Sequence, residues 1–129
     1  MTTPFVCVLL AFLLIWIPRV AVVVAIRKAG IPYDNKHPRK QQATLEGFGA
    51  RAQACHQNHL EGFPMFAAAV FVAHLADGDP RRAAILAGTH VAARVFYTIA
   101  YLTNADYLRS AIWSIGMLAI FGLFVLGWL

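Results

Sequence analysis

The sequence predicts an all-α integral membrane protein, a bundle of four helices. Of its 129 residues, 60% are hydrophobic and only 13% are charged, whereas a soluble domain has about 25% charged residues. The mean hydropathy is +0.61, and four segments that each contain a long apolar run alternate with polar connections. About 20 residues are needed to cross a bilayer as a helix. One small core cannot bury so many apolar residues, so lipid should cover much of the surface. At this length we expect a single membrane domain, residues 1–129.

The first apolar segment covers residues 5–26, which is long enough to cross the bilayer as a helix. No basic stretch precedes it and no small-residue cleavage pattern follows it, so we expect a retained span and not a signal peptide. Pro18 removes a backbone hydrogen bond and predicts a kink. The charge of Arg19 is costly in lipid, so this side chain should face protein or water.

A polar loop, residues 27–46, follows the first span. It holds five of the eleven lysines and arginines of the chain: Arg27, Lys28, Lys36, Arg39 and Lys40. Cytoplasmic loops of membrane proteins are enriched in such residues, so we place this loop in the cytoplasm and both termini outside. The net charge of +5 would also suit a nucleic-acid-binding protein. The aromatic residues lie in apolar runs, however, and not on an exposed basic face, so we expect no nucleic-acid partner.

Three further spans are predicted over residues 47–75, 81–102 and 107–129. The second is longer than one crossing, so its polar first half should line a cavity or extend into the cytoplasm, and Pro64 should bend it. Before the third span, Asp79 is suited to be the N-cap and Pro80 to be the first helical residue. Trp113 and Trp128, toward the ends of the fourth span, are typical of the membrane interface.

Polar residues of the second and third spans share single helical faces. At 100° per residue, Arg51 and Asn58 lie one above the other, and Glu61 lies about 80° around the axis. In the third span, offsets of four, three and four residues predict one stripe that contains His90, Arg94, Tyr97 and Tyr101. The opposite face of that span is made of Ala, Ile, Leu and Val.

These faces meet the start of the fourth span, with Arg109, on the cytoplasmic side. Ionisable residues inside spans are candidates for function by default. Arg51, Arg94 and Arg109 face a single carboxylate, that of Glu61, and the surplus positive charge favours an anionic ligand. The alternative is that Arg51 and Arg94 neutralise Glu61 and only hold the bundle together.

The cysteines and histidines do not predict a disulfide or a metal site. Cys7 lies in the first apolar run and Cys55 in the polar helix, so we expect no structural disulfide between them. His56 and His59 do not have the spacing of metal ligands, and no Cys-x-x-Cys pair is present. We therefore expect no metal.

Two motifs resemble those of a known family. The segment Arg51…Asn58-x-x-Glu61…Phe63-Pro64 is similar to the signature of the MAPEG family, the membrane-associated proteins of eicosanoid and glutathione metabolism. Residues 93–102, Ala-Arg-Val-Phe-Tyr-Thr-Ile-Ala-Tyr-Leu, with Arg109 beyond the next turn, resemble the microsomal glutathione transferase branch. The four-span layout extends the resemblance to the whole chain.

The resemblance implies a homotrimer of four-helix bundles in which glutathione lies between neighbouring subunits near the cytoplasmic face. Arg109 would be the catalytic residue, because the family uses an arginine at the start of the fourth helix to stabilise the thiolate of glutathione. His56 would reach the same site from a neighbouring subunit. The substrate-binding residues implied in this way are Arg51, His56, Asn58, Glu61, Arg94, Tyr97 and Tyr101.

The sequence also departs from the family pattern at three positions. Ala50 precedes Arg51 where a Glu is frequent, Ala54 replaces an arginine that contacts glutathione in several members, and Gly62 follows Glu61 where one branch has an aromatic residue. These departures favour a bacterial-type member, in the inner membrane, and they leave open whether glutathione is the thiol.

Three functions are compatible with these observations. The first is a membrane glutathione transferase or peroxidase that acts on a hydrophobic small molecule arriving through the bilayer. The second is a non-catalytic membrane protein of the same fold that binds a lipid or a thiol. The third, a small four-helix exporter, would require an acidic residue in the first span, which contains Arg19 and no acid.

Overall fold

The computed structural model describes residues 2–126 and Trp128, and this part of the chain consists of helices and short connections without a strand. The helices are α1 (Thr3–Leu14), α2 (Trp16–Lys28), α3 (Pro38–Ala43), α4 (Gly47–Leu75), α5 (Pro80–Leu102) and α6 (Asp106–Leu126). The all-α prediction is therefore confirmed.

Helices α1 and α2 follow each other almost without interruption. The residue between them, Ile15, keeps helical angles of φ −56° and ψ −35°. The break lies just before Pro18, which occupies the first turn of α2, where a missing N–H is tolerated. Arg19 is half-buried. Together the two helices form the continuous apolar stretch Thr3–Lys28.

Three helical segments in the described part of the chain are long and apolar enough to cross a membrane: Thr3–Lys28, Pro80–Leu102 and Asp106–Leu126. Helix α4 has 29 residues and contains Pro64 within an unbroken helix, but it is not among these three because its first half is polar. A membrane crossing by α4, and hence the division of residues 1–129 into four spans, stays a prediction.

Small residues let the helices approach closely around the core. The most extensive packing joins α5 to α6, and α4 packs against α2, α5 and α6. The larger core cluster has Phe66 and Leu123 at its centre, both with no exposed surface, and buried alanines of α4 and α5 fill the space between the helices. A smaller cluster around Val22 and Ala52 joins α2 to α4.

Helices α4 and α5 end in the same type of cap. Asp77 (φ 53°) and Asn104 (φ 63°) adopt the left-handed conformation just beyond the helix. The next amide bonds back to the helix in each case, from Gly78 N to Ala73 O at 2.9 Å and from Ala105 N to Ala100 O at 2.8 Å. These are Schellman caps, which satisfy carbonyls at the helix end. Helix α5 begins as predicted, with Asp79 Oδ1 accepting a hydrogen bond from Arg82 N at 2.7 Å and Pro80 in the first turn.

We expect Gly78→Ala to destabilise the protein by about 1–3 kcal/mol, because the added methyl group meets backbone atoms that cannot rotate away. A Cβ at this position would lie 3.0 Å from Ala73 O and 3.1 Å from Leu126 O. The matched control is Gly88→Ala in α5, where a Cβ has nothing within 4 Å and should stabilise the helix by up to about 1 kcal/mol. Thermal unfolding in detergent measures both, and equal melting temperatures would contradict the packing of this turn.

Candidate functional site

Two adjoining hollows lie where α4, α5 and α6 meet. The inner cavity, of about 80 Å³, is lined by Asn58, Glu61, Gly62, Met65, His90, Ala93, Arg94, Tyr97, Ile112, Trp113, Gly116, Met117 and Ile120. The outer cleft, of about 440 Å³, is lined by Asn58, Tyr97, Tyr101, Arg109, Ser110, Trp113 and Ser114. Asn58, Tyr97 and Trp113 belong to both linings, so the two hollows are neighbours with shared walls.

The side chain of Arg94 is the centre of this region. It is only 6% exposed, and its Nη1 donates a hydrogen bond of 3.0 Å to Asn58 Oδ1. A guanidinium can only donate, which fixes the amide of Asn58 with its oxygen toward Arg94. The other terminal nitrogen, Nη2, is buried without a hydrogen-bond partner among the described residues. Buried polar groups in folded proteins are nearly always paired, so this donor indicates a place for a ligand or water.

Two arginines and two tyrosines form a continuous row from α5 to α6. The Cζ atom of Arg94 lies 4.5 Å from the ring centroid of Tyr97, and that of Arg109 lies 4.5 Å from the centroid of Tyr101. The two tyrosine rings meet edge to face, with centroids 5.4 Å apart. Both cation–π contacts stabilise the arginines without neutralising them. Arg109 therefore retains its full charge in the outer cleft.

Glu61 does not form the ion pair with Arg94 that would be expected if these residues only held the bundle together. Its side chain is exposed and accepts a hydrogen bond of 3.3 Å from Gln57, whereas Arg94 bonds to Asn58. Glu61 and Arg94 are therefore each hydrogen-bonded to a neutral amide side chain, that of Gln57 and that of Asn58. Glu61 lines the inner cavity without a direct ion pair to Arg94, and the outer cleft has Arg109 and no carboxylate in its lining among the described residues.

Arg51 and His56 lie apart from the other predicted residues within this single chain. Asn58, Glu61, Arg94, Tyr97, Tyr101 and Arg109 line the two hollows. His56 is two residues, or about 200° of helix rotation, from Asn58, and its Nδ1 lies 2.9 Å from Ile15 O between α1 and α2. Arg51 is half-buried two turns before Asn58, and its Nε is buried without a partner in the described part of the chain.

His90 and Trp113 line the site although the sequence motifs did not assign them to it. His90 stands on the predicted stripe, four residues before Arg94, and this spacing was the available signal. Its Nδ1 lies 3.0 Å from Gly116 O, and its ring stacks on Phe66 with a centroid distance of 4.1 Å. Trp113, interpreted as an interface anchor, lines both hollows.

A buried hydrogen-bonded chain fixes α4 to α5 beside Arg94. Thr98 Oγ1 donates to the backbone oxygen of Arg94 at 2.9 Å, so it accepts from His59 Nε2, at 2.8 Å. His59 and Thr98 are 3% and 5% exposed. Cys55, one turn before His59, is a free, buried thiol, as is Cys7. Within residues 2–126 and 128, no group of three His, Cys, Asp or Glu side chains could hold a metal ion.

We expect Thr98→Val to destabilise the protein by about 1–3 kcal/mol, since the donor of His59 would remain buried without an acceptor. Valine has nearly the shape of threonine, so packing is preserved while the hydroxyl is lost. Thr98→Ser is the control, because it keeps the hydroxyl and removes one methyl group. Thermal unfolding in detergent should give a lower melting temperature for the valine variant than for the serine variant. The reverse order would contradict the hydrogen-bonded chain.

The comparison with known proteins identifies the family. The sequence profile of the MAPEG family matches residues 3–129, which is nearly the whole chain. A search of curated proteins finds no match to this sequence. The profile match confirms the resemblance carried by the motifs of α4 and α5, and the three apolar helices agree with a membrane location. The chain is a membrane protein of the MAPEG family.

Proposed function

We propose that this protein is a membrane-bound glutathione transferase or peroxidase. In this proposal it activates the thiol of glutathione against a hydrophobic electrophile that reaches the site through the bilayer. Membership of the MAPEG family supports a function of this kind. The observation that carries the proposal is Arg109, which stands over the ring of Tyr101 in an open cleft lined by no carboxylate among the described residues.

The outer cleft has the chemistry that an anionic thiol compound requires. Arg109 provides its positive charge, and the hydroxyls of Tyr97 and Tyr101 can donate hydrogen bonds to the ligand. The hydroxyls of Ser110 and Ser114 donate to the backbone oxygens of Asp106 and Ser110, so they can only accept from the ligand. Asn58 has its oxygen occupied by Arg94, so its amide N–H₂ group is left for a ligand. A guanidinium binds carboxylates and thiolates without losing its proton. The cleft can therefore hold a peptide with negative charge and place its thiol near Arg109.

The reaction follows from the charge of Arg109. A thiol of ordinary pKa, about 8.5, is mostly protonated at neutral pH and is a weak nucleophile. A guanidinium beside the sulfur stabilises the thiolate and lowers the pKa of the bound thiol. In conjugation the thiolate forms a sulfur–carbon bond and the leaving group departs with the electron pair. With a hydroperoxide, the thiolate attacks the terminal oxygen, so that a sulfur–oxygen bond forms and the O–O bond breaks. The alkoxide leaves with a proton taken from water as an alcohol, and the sulfur is oxidised to a sulfenic acid. A second glutathione thiol then converts the sulfenic acid to the disulfide and releases water.

We further propose that the protein is a homotrimer of four-helix bundles, as the family resemblance implies. The polar half of α4 supports this proposal. The side chains of Gln57 and Glu61 are exposed on the single chain. Lipid cannot satisfy such groups. Neighbouring subunits that pack around α4 would shield them and would bring His56 and Arg51 of one chain toward the cleft of another.

The alternative is a non-catalytic membrane protein that holds a lipid or a thiol in the same hollows. Two positions favour it. Ala54 is exposed on α4 and offers no donor where several family members have an arginine, and a Cβ at Gly62 would meet nothing closer than Arg94 Nη1, at 4.0 Å. The glutathione site would then have fewer contacts. Calorimetric titration with glutathione beside a conjugation assay separates the two functions, because binding without turnover selects the alternative.

We expect Arg109→Ala to lower kcat/KM for glutathione conjugation by about 10-fold to 100-fold, since the thiolate loses its nearest cation and one pKa unit is worth a factor of ten. Arg109→Lys should keep part of the activity, because it retains the charge and loses the planar contact with Tyr101. A conjugation assay with the purified protein measures both variants.

The control for this prediction is Arg81→Ala, which removes an exposed arginine at the start of α5, distant in sequence from the cleft residues. It has the same change of charge and should leave kcat/KM unchanged. Equal rates for Arg109→Ala and the unsubstituted enzyme would remove Arg109 from the mechanism.

We expect native mass spectrometry of the detergent-solubilised protein to give three times the chain mass of 14.2 kDa. A monomer or dimer would contradict the trimer, since the polar face of α4 would then need another cover. A substitution that places a bulky apolar side chain on this face, Gln57→Trp, should shift the distribution toward monomer, whereas Ile85→Trp on the exposed face of α5 should not.

A further inference from the structure

We infer that the inner cavity is a subsite for a small uncharged headgroup that both accepts and donates a hydrogen bond, as a hydroxyl or a hydroperoxide does. The inference deepens the proposed function: the outer cleft would hold the thiol, and the inner cavity would hold the polar end of the hydrophobic second substrate. The cavity has hydrogen-bond donors, one acceptor, a small volume and an apolar opening, and each restricts what it can bind.

The acceptor is His90 Nε2. Gly116 O can only accept a hydrogen bond, so the imidazole Nδ1, 3.0 Å away, carries the proton. The ring is 97% buried (3% exposed), lines the cavity beside Arg94 and stacks on Phe66. A buried imidazole that shares a cavity with a guanidinium is neutral, because a second buried charge of the same sign is costly. Nε2 therefore has a lone pair and no hydrogen.

The hydrogen-bond donors of the cavity are the side chains of Arg94 and Asn58. Both side chains line the same cavity as His90. Arg94 Nη1 donates to Asn58 Oδ1, so the amide N–H₂ of Asn58 remains free to donate to a ligand. Arg94 is 6% exposed, and its Nη2 has no hydrogen-bond partner in the described part of the chain. A ligand oxygen that accepts from this pair satisfies groups that the protein leaves unpaired.

Size and charge restrict the headgroup. A volume of about 80 Å³ holds a few heavy atoms or a few waters. An ammonium group is opposed by Arg94. An anion is attracted by Arg94 but opposed by the Glu61 carboxylate, which lines the same cavity, and by the lone pair of His90 Nε2. The charges of Arg94 and Glu61 therefore offset each other for a ligand in this cavity. A neutral group with one hydrogen to donate and one oxygen to accept satisfies both sides.

The opening of the cavity suits an apolar tail. Met65, 42% exposed, and Trp113, 41% exposed, belong to the lining and reach the surface of the chain. Met117, Ile112 and Ile120 complete an apolar wall. Trp113 and Tyr97 also line the outer cleft, so a headgroup in the inner cavity lies next to a thiol bound beside Arg109.

The test measures binding without any thiol and therefore does not depend on the proposed reaction. The chain has three tryptophans, so Trp16→Phe with Trp128→Phe leaves Trp113 as the only one. In lipid nanodiscs, quenching of its fluorescence by 2-bromodecan-1-ol is compared with quenching by the matching methyl ether, which keeps the oxygen and the tail but has no hydrogen to donate. We expect the alcohol to reach half-maximal quenching at about fivefold lower concentration.

His90→Asn in the same background isolates the acceptor. The asparagine N–H₂ can still donate to Gly116 O in the place of Nδ1. Its oxygen then takes the place of the ring carbon Cδ2 and does not reach the position of Nε2, so the preference for the alcohol should fall to about one. Equal quenching by alcohol and ether in the unsubstituted protein would overturn the inference and leave water as the occupant, whether or not the asparagine variant folds. Stronger quenching by 2-bromodecanoate, unchanged by His90→Asn, would also overturn it in favour of an anion held by Arg94.

The outcomes separate this subsite from the proposed function. An alcohol preference in a protein that does not conjugate glutathione would support the subsite and count against the enzyme. Glutathione-dependent turnover with no preference between alcohol and ether would support the enzyme and count against the subsite.

Discussion

A buried arginine is the constraint on which this structure depends. The charge of Arg94 sits inside a largely apolar bundle with 6% of its surface exposed, and an uncompensated charge in such a place is expensive. Asn58 from α4 and the ring of Tyr97 from its own helix hold the guanidinium. Neither removes its charge. A buried guanidinium requires hydrogen-bond acceptors and aromatic faces close to it. Asn58 on α4 and Tyr97 on α5 meet this requirement, and both side chains also line the two hollows.

The remaining polar side chains fall into two classes around that arginine. His59 bonds to Thr98, and Thr98 bonds to the backbone oxygen of Arg94, so this chain ties α4 to α5. Tyr101 and Arg109 contact each other at the open end and keep their hydroxyl and guanidinium donors available. The buried hydrogen bonds of His59 and Thr98 therefore lie beneath an open cleft that contains Arg109 and Tyr101. In such an arrangement a charged side chain can be held in position before a ligand binds.

Much of this arrangement could be predicted from helical spacing alone. Four-, three- and four-residue offsets placed Arg94, Tyr97 and Tyr101 on one stripe, and the Asp79–Pro80 cap followed from local chemistry. The separation of His56 from Asn58 was also implicit in their spacing. The same spacing placed His90 on the stripe, but its hydrogen bond to Gly116 O could not be predicted, because spacing within one helix does not reveal contacts between helices. The unpaired nitrogen of Arg94 is likewise a property of the packed bundle.

The hydrogen bond between His56 and the carbonyl of Ile15 has a mechanical consequence. It joins the middle of α4 to the junction of α1 and α2, the one place where the long N-terminal rod changes from one helix to the next. Proline near that junction weakens the rod's resistance to flexing. Because an imidazole ties α4 to this junction, a change in the angle between α1 and α2 would also displace the part of α4 that carries Asn58.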